Sequence, residues 1–328
     1  MESEKLSNDN NHQNNILNVN LQNIKSNDIL SKIYDNIKKK KSLEIVKCNR
    51  QVQKRLKLSI KDYKKYHETF TPIELEIKPC NKKYGKFINI DESEKLYYHI
   101  YFNDNKEEIK NKYEINETDK VTKIKIIIDY QIKSFEVLFL SCECIESINF
   151  KKFYRNNIYS MNSMFYGCKS LKEINFSNFI TNNVIDMSWM FHKCKSLKDL
   201  NLSTFNTNKV TNMSSMFSGC SSLEELNLST FKTNKVSCMN WMFRKCKSLK
   251  KLNFSDFNTN KVPYMSQMFF KCISLKELQF SNFNINNVTL LYGMFYGCRE
   301  NLLKKIISED RKIKLKALDK LNKLEKKN

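Results

Sequence analysis

One spacing constrains this chain more than any other feature, because cysteine recurs every 26 residues over a long stretch. The members of this column are Cys142, Cys168, Cys194, Cys220, Cys246, Cys272 and Cys298. A phenylalanine column from Phe139 to Phe295 and a methionine column from Met161 to Met265 keep the same period. A fixed period of this size is the signature of stacked supersecondary units. The sequence therefore predicts a repeat protein.

Each copy combines two apolar patterns. The first half of the copy over residues 210–235 has apolar side chains at the helical spacing i, i+3, i+4 and i+7, namely Met213, Met216, Phe217 and Cys220. Leu226 and Leu228 in the second half alternate with a polar residue, which is typical of a half-buried strand. One short helix and one strand cannot bury both apolar faces alone, but stacked copies can. The expected fold is an α/β solenoid.

The same copy also carries a family resemblance. The pattern Leu223-x-x-Leu226-x-Leu228, preceded by N-M-S-S-M-F-S-G-C-S-S-L and followed by N-K-V, resembles the BspA-like leucine-rich-repeat family of 26-residue repeats. The resemblance covers residues 121–299. It implies a curved, right-handed leucine-rich-repeat solenoid, with a parallel sheet backed by short helices, and a protein-binding or adhesive role. After Cys298 the leucine pattern is lost, and a Lys-rich capping helix is expected over residues 300–328.

The chain before the repeats divides by composition into three parts. Residues 1–20 are Asn-rich and polar, so a disordered tail is expected. Residues 21–66 show helical apolar spacing, which predicts a small N-terminal helical module. Residues 71–120 contain alternating apolar runs with turn signals at Pro79 and Gly85, and they predict a β-rich connector.

The helical module has a second resemblance. The run Ser26-Asn27-Asp28-Ile29-Leu30-x-x-Ile33, followed by residues 43–55, resembles an F-box-like motif. This resemblance implies that residues 21–66 dock on a Skp1-type adaptor of a ubiquitin ligase. A helical hairpin that only caps the repeats has the same pattern, so both interpretations stay open.

The net charge of +22 does not by itself indicate a nucleic-acid partner. Of the 57 basic residues, 51 are Lys and 6 are Arg, and they are spread along the chain. Nucleic-acid modules favour Arg for bidentate base contacts and collect basic residues on one face. We therefore expect no nucleic-acid partner.

Targeting signals are also lacking. The first twenty residues have no basic segment followed by an apolar one, and no run reaches the roughly 18 apolar residues that span a bilayer. We expect a cytoplasmic protein without membrane insertion.

The cysteine column indicates a structural role rather than a catalytic or metal-binding one. Zinc sites usually pair cysteines as C-x-x-C, and only Cys142-x-Cys144 comes close. His192 and Cys194 form the one candidate base and nucleophile in the repeats, but Cys194 belongs to the column and is expected to point inward. We therefore expect reduced, buried thiols, no metal, no cofactor and no enzymatic activity.

The candidate binding surface is the outward face of the strands, where side chains alternate with the buried leucines. The predicted protein-binding residues are Glu173, Asn175, Asp199, Asn201, Glu225, Asn227, Lys251, Asn253, Glu277 and Gln279. A solvated strand that is merely copied from repeat to repeat gives the same columns, so this alternative stays open.

A second candidate surface carries the aromatic anchors. Trp189 and Trp241 share a column two repeats apart, with His192 and Arg244 three residues further on. The two indoles either wedge between neighbouring helices or form a convex protein-binding patch. The predicted function is a non-enzymatic protein-protein interaction scaffold whose protein ligand is unknown, and the alternative is an F-box-type substrate receptor.

Overall fold

The chain forms two compact units, Met1–Thr71 and Pro72–Asn328. The computed structural model describes the following residues: 24–36, 46, 49–254, 257–278 and 287–302. The predicted disordered tail, all but the first residues of the predicted capping helix, and Gln279 lie outside this part of the chain.

The described part of the first unit is helical. Its helices are α1 (Asn27–Asn36), α2 (Arg50–Arg55) and α3 (Ile60–Phe70). The side chain of Asn49 caps α2 by accepting a hydrogen bond from the Val52 amide at 3.1 Å. Arg55 donates to the Asn27 side chain at 2.9 Å and so ties α2 to α1. The small apolar core of the unit contains Leu30, Val46 and Val52.

Most of the regular secondary structure of the second unit is strand, and turns connect the strands. They are β1 (Ile73–Pro79), β2 (Gly85–Lys86), β3 (Tyr98–Phe102), β4 (Glu114–Ile115), β5 (Ile124–Ile128), β6 (Ile145–Lys152), β7 (Glu173–Asn175), β8 (Glu225–Asn227), β9 (Lys251–Asn253) and β10 (Glu277–Leu278). They form a mixed sheet in the order β3-β5-β1-β6-β7, a parallel sheet in the order β10-β9-β8, and the pair β2-β4. Two short 3-10 helices, Glu92–Tyr97 and Glu117–Asp119, lie between the strands.

The predicted connector continues into the repeats within one sheet. Strand β1 pairs antiparallel with β5 on one side and with β6 on the other. Residues 124–128, which lie within the range that the resemblance covers, form β5 and pair antiparallel with β3 as well. Parallel pairing at the repeat spacing starts with Ser134 and Ser160. The strands before the repeats thus cover the apolar edge that the first copy exposes.

Successive copies lie side by side in register. A chain of parallel bridges joins residues 26 apart, from Ser134 through Ser160, Asp186, Asn212, Cys238 and Tyr264 to Leu290. Strands β8, β9 and β10 pair in parallel at the same offset. The prediction that the copies stack as repeated units is confirmed by this pairing.

The prediction of a short helix in each repeat is wrong. The Met216 amide donates to the Met213 carbonyl at 3.3 Å, and the Cys220 amide donates to the Phe217 carbonyl at 3.1 Å. Ser215 and Gly219, the third residues of these two turns, have φ of 55° and 78°. Such positive values at that position are typical of type II turns and break a helix.

The neighbouring copy explains why turns replace the helix. The amides of Met213 and Phe217 donate to the Cys238 and Met242 carbonyls of the next copy, at 3.0 and 2.9 Å. A helix would use these amides internally. Consecutive turns also bring residues at i, i+3, i+4 and i+7 to one side, so the apolar spacing alone does not distinguish the two structures.

The core follows the phenylalanine and cysteine columns. Rings of the column from Phe139 to Phe295 stack with centroids 5.4 to 5.7 Å apart and nearly parallel planes. Each thiol from Cys168 to Cys298 contacts the carbonyl of the phenylalanine 29 residues earlier, at 3.0 to 3.1 Å. Burial raises the pKa of the Cys220 thiol to about 12, as expected for a buried, protonated thiol.

Candidate functional site

The predicted binding residues occupy the outward face of the strands. Glu173 and Asn175 lie on β7, Glu225 and Asn227 on β8, and Lys251 and Asn253 on β9, where all six are exposed. Glu277 is in β10. Asp199 and Asn201 are exposed too, but they lie in a segment without strand pairing between β7 and β8. The outward columns therefore run along the repeats with a break in the sheet at the copy of Asp199.

The asparagine column has a structural role. The side-chain oxygens of Asn175, Asn201 and Asn227 each accept a hydrogen bond from the amide of the serine two residues later, at 2.9 to 3.1 Å. This Asx turn bends the chain at the end of the strand. The turn explains why Asn-x-Ser recurs from copy to copy even if no ligand binds there. The recurring Asn-x-Ser pattern in the sequence was a signal for this turn.

The acidic side chains divide into paired and unpaired groups. Lys251 neutralises Glu225 at 2.9 Å across neighbouring copies. Within the described chain, Glu173 and Asp199 have no ion-pair partner. The unpaired carboxylates are therefore concentrated at the break between β7 and β8.

An open cavity of about 990 Å³ lies at this break. Its lining includes Ser147, Asn149, Glu173, Asn175, Asp199, Asn201 and the two lysines Lys172 and Lys198. Lys172 is paired with Glu146 at 2.8 Å. The amides of Asp199 and Asn201 donate no hydrogen bond to any residue that the structure describes. The cavity thus offers two carboxylates, the Lys198 ammonium and two main-chain donors to a ligand.

The indoles of Trp189 and Trp241 lie on the turns. Their ring centroids are 6.5 Å apart, although the copy of Ser215 lies between them in the sequence, and Ser215 is only 1% exposed. Without a helix, the predicted wedge between helices does not form. Both tryptophans have φ near 60°, which is rare for so large a residue.

His192 packs beside these indoles. Its ring lies 4.7 Å from Trp189 and 4.6 Å from Tyr166, centroid to centroid. Burial, together with the charges of Lys193 and Arg244, lowers the His192 pKa to about 4. The imidazole is therefore neutral at physiological pH.

The structure gives His192 and Cys194 separate surroundings. Cys194 Sγ is buried and donates to the Phe165 carbonyl at 3.1 Å, and burial raises its pKa well above the usual range. Cys144 Sγ contacts the Lys86 carbonyl at 3.1 Å. Among the residues described, no group of three or more His, Cys, Asp or Glu side chains could hold a metal ion.

No helix in the described ranges is both long enough and apolar enough to cross a membrane.

Comparison with known proteins gives one family and one solved structure. A model of the family described as "Mycoplasma protein of unknown function, DUF285" matches residues 133–252 and again residues 224–311, together more than half of the chain. No curated protein matches the sequence. Among solved structures, the leucine-rich repeat protein TpLRR of T. pallidum shares 18% identity with a TM-score of 0.27, over 43% of this chain and 70% of that one.

The matched ranges do not reach the first unit. The F-box-like resemblance of residues 21–66, the Skp1-type adaptor and the cytoplasmic location therefore stay predictions.

Proposed function

The chain belongs to the DUF285 family of Mycoplasma proteins of unknown function, and we propose that it is a non-enzymatic scaffold for protein-protein interaction. In this proposal the repeats form a leucine-rich-repeat solenoid of the BspA-like type. The strand face binds an extended segment of a protein ligand, with the cavity at Glu173 and Asp199 as its centre. The observation that carries the proposal is the concentration of unpaired polar groups at this cavity.

The lining of the cavity suits a peptide better than a small apolar molecule. The free amides of Asp199 and Asn201 can donate to the carbonyls of an extended chain, as main-chain donors do when a strand is added to a sheet edge. The carboxylates of Glu173 and Asp199 suit Lys or Arg side chains of that chain. Each exposed ion pair contributes only about 0.2 to 1 kcal/mol, so we expect the affinity to depend on several copies together.

The thiol chemistry supports the non-enzymatic part of the proposal. A cysteine nucleophile needs a lowered pKa and access to solvent. The column thiols of Cys194 and Cys220 are fully buried, and their pKa values are raised. They fit a role in packing.

A differential capture experiment tests the strand face. The full chain, a variant with Glu173→Lys and Asp199→Lys, and a control with Glu107→Lys and Glu136→Lys are used to capture proteins from extracts of the native cell. Both variants change the net charge equally, and the control residues are exposed away from the cavity. We expect the wild-type chain and the control to capture the same partner in equal amounts. The cavity variant should capture at least tenfold less of it. Equal capture by all three chains would contradict the proposal.

A further inference from the structure

The turns and the strands of the repeats differ in charge. The turn segments 160–169, 186–195, 212–221, 238–247 and 264–273, here called the basic ridge, contain one acidic residue, Asp186. They contain seven basic residues: Lys169, Lys193, Lys195, Arg244, Lys245, Lys247 and Lys271. The strand segments 172–175, 198–201, 224–227, 250–253 and 276–279 contain five basic and five acidic residues. The excess positive charge of the repeats therefore lies on the turns.

Most of these charges are not neutralised within the chain. Lys169 pairs with Glu143 at 2.6 Å. The exposed lysines without any carboxylate partner in the described residues are Lys193, Lys195, Lys245, Lys247 and Lys271. Repulsion from Arg244 and the neighbouring lysines lowers the pKa of Lys245. Like charges left so close together cost stability, which an anionic partner would restore.

Aromatic rings hold several of the cations in place. Lys193 Nζ lies 5.6 Å from the centroid of the Tyr166 ring. Lys271 Nζ and the Arg244 guanidinium lie 5.4 and 5.0 Å from the centroid of Phe270. Such cation–π contacts order the side chain while its charge stays unneutralised. A ligand then binds with less loss of side-chain entropy.

Backbone strain points to the same residues. Lys193, Lys245 and Lys271 have φ between 55° and 60°. At the same repeat position three copies have Gly167, Gly219 and Gly297, and another has Ser141, with φ of 55°. Only glycine adopts positive φ there without cost. Lysine at this position is a strained choice, and strain of this kind concentrates at functional sites.

We propose that the basic ridge binds an extended acidic segment of a protein partner, whose carboxylates lie against Lys193, Lys245 and Lys271. This surface is separate from the strand face and adds a second binding activity to the proposed scaffold. Trp241, which is 37% exposed beside Arg244, supplies an apolar anchor for the same segment.

The ring contacts favour a protein over single-stranded nucleic acid. Binding of a single strand needs free aromatic faces on which bases stack. Trp189 already contacts Tyr166, His192 and Trp241. Phe270 contacts two cations and, at 5.2 Å, the Tyr296 ring. With the rings of Trp189 and Phe270 occupied, only the exposed rings of Trp241 and Tyr264 remain for bases to stack on. The unneutralised lysines then fit carboxylates better than bases.

Intrinsic fluorescence measures ligand binding at the basic ridge directly, because the two tryptophans of the chain both lie on it. The full chain is titrated with a synthetic 12-residue peptide of Glu and Asp and, separately, with an oligothymidylate of equal charge. We expect a saturable change in emission with the peptide, weakened by salt, and weaker binding of the oligonucleotide. The absence of a saturable change, or tighter binding of the oligonucleotide, would overturn the proposal.

A glycine variant tests the ridge without endangering the fold. Lys193→Gly, Lys245→Gly and Lys271→Gly combined should keep or raise the thermal midpoint, since glycine already occurs at this position, and should weaken peptide binding at least tenfold. The control Lys209→Gln, Lys235→Gln and Lys261→Gln removes the same charge from exposed positions outside the basic ridge and should change affinity less than twofold.

These outcomes distinguish binding at the basic ridge from binding at the strand face. Equal weakening by the glycine variant and the control would show that only net charge matters, and would overturn the ridge proposal. The strand-face variant with Glu173→Lys and Asp199→Lys should bind the acidic peptide at least as tightly as wild type. Loss of the captured partner in that variant concerns the proposed function alone.

Discussion

At the scale of single residues, backbone conformation explains more of the repeat than apolar spacing does. Ser215 has positive φ, and no residue that the structure describes accepts from or donates to its buried hydroxyl. Both features cost free energy, because an L-residue in the left-handed region is strained and an unpaired buried hydroxyl loses its water. Position 215 therefore suits glycine better than serine.

We predict that Ser215→Gly raises the free energy of unfolding by about 0.5 to 1 kcal/mol, since relief of strain exceeds the entropic cost of glycine. In a helix the same change would lower the free energy of unfolding by about 0.5 kcal/mol. Urea unfolding followed by circular dichroism measures the difference. The control Ser218→Gly, at a buried position without positive φ, should lose stability. A loss at both positions would favour the helix.

At the scale of elements, the stacked phenylalanines stabilise the array. Phe217 is fully buried and lies between Phe191 and Phe243, at 5.7 and 5.6 Å. We predict that Phe217→Ala lowers the free energy of unfolding by about 3 to 5 kcal/mol, because the cavity opens inside a closely packed column. The control Phe270→Ala removes the same atoms from a half-buried turn position and should cost clearly less. Similar losses in chemical denaturation would mean that the column is not the core.

The same scale shows how far the sequence predicts the fold. The 26-residue period predicts stacking, the buried columns and the outward strand residues, because each depends on which side chains recur. The turns were missed because their apolar spacing equals that of a helix, although Gly167, Gly219 and Gly297 at one repeat position indicate positive φ. The break in the sheet at Asp199 was not predictable, since Asp199-Leu200-Asn201 has the same pattern as the paired strand β8.

At the scale of the whole molecule, the identical bridges between the turns of successive copies make the repeats interchangeable. We predict that deletion of residues 212–237 leaves a cooperatively folding chain, because the Asp186 copy can then pair with the Cys238 copy as it now pairs with the Asn212 copy. The thermal midpoint should fall with the loss of one copy. The control deletion of residues 212–224 removes half a copy and should abolish cooperative melting. Equal behaviour of the two deletions would contradict in-register stacking.

The direction of the hydrogen bonds between turns has a consequence for the gene. Amides within the turns donate to carbonyls of the following copy, as those of Met161, Met187, Met213 and Met239 do. Amides just before the turns, such as those of Ile185, Thr211 and Ser237, donate to carbonyls of the preceding copy. Every copy therefore repeats the same set of donors and acceptors toward each of its two neighbours. A recombination event that inserts or deletes 78 nucleotides adds or removes one 26-residue copy, at 3 nucleotides per residue. The bridges between the remaining copies are then unchanged. The number of copies can therefore vary between descendants of one gene while the rules of assembly stay the same.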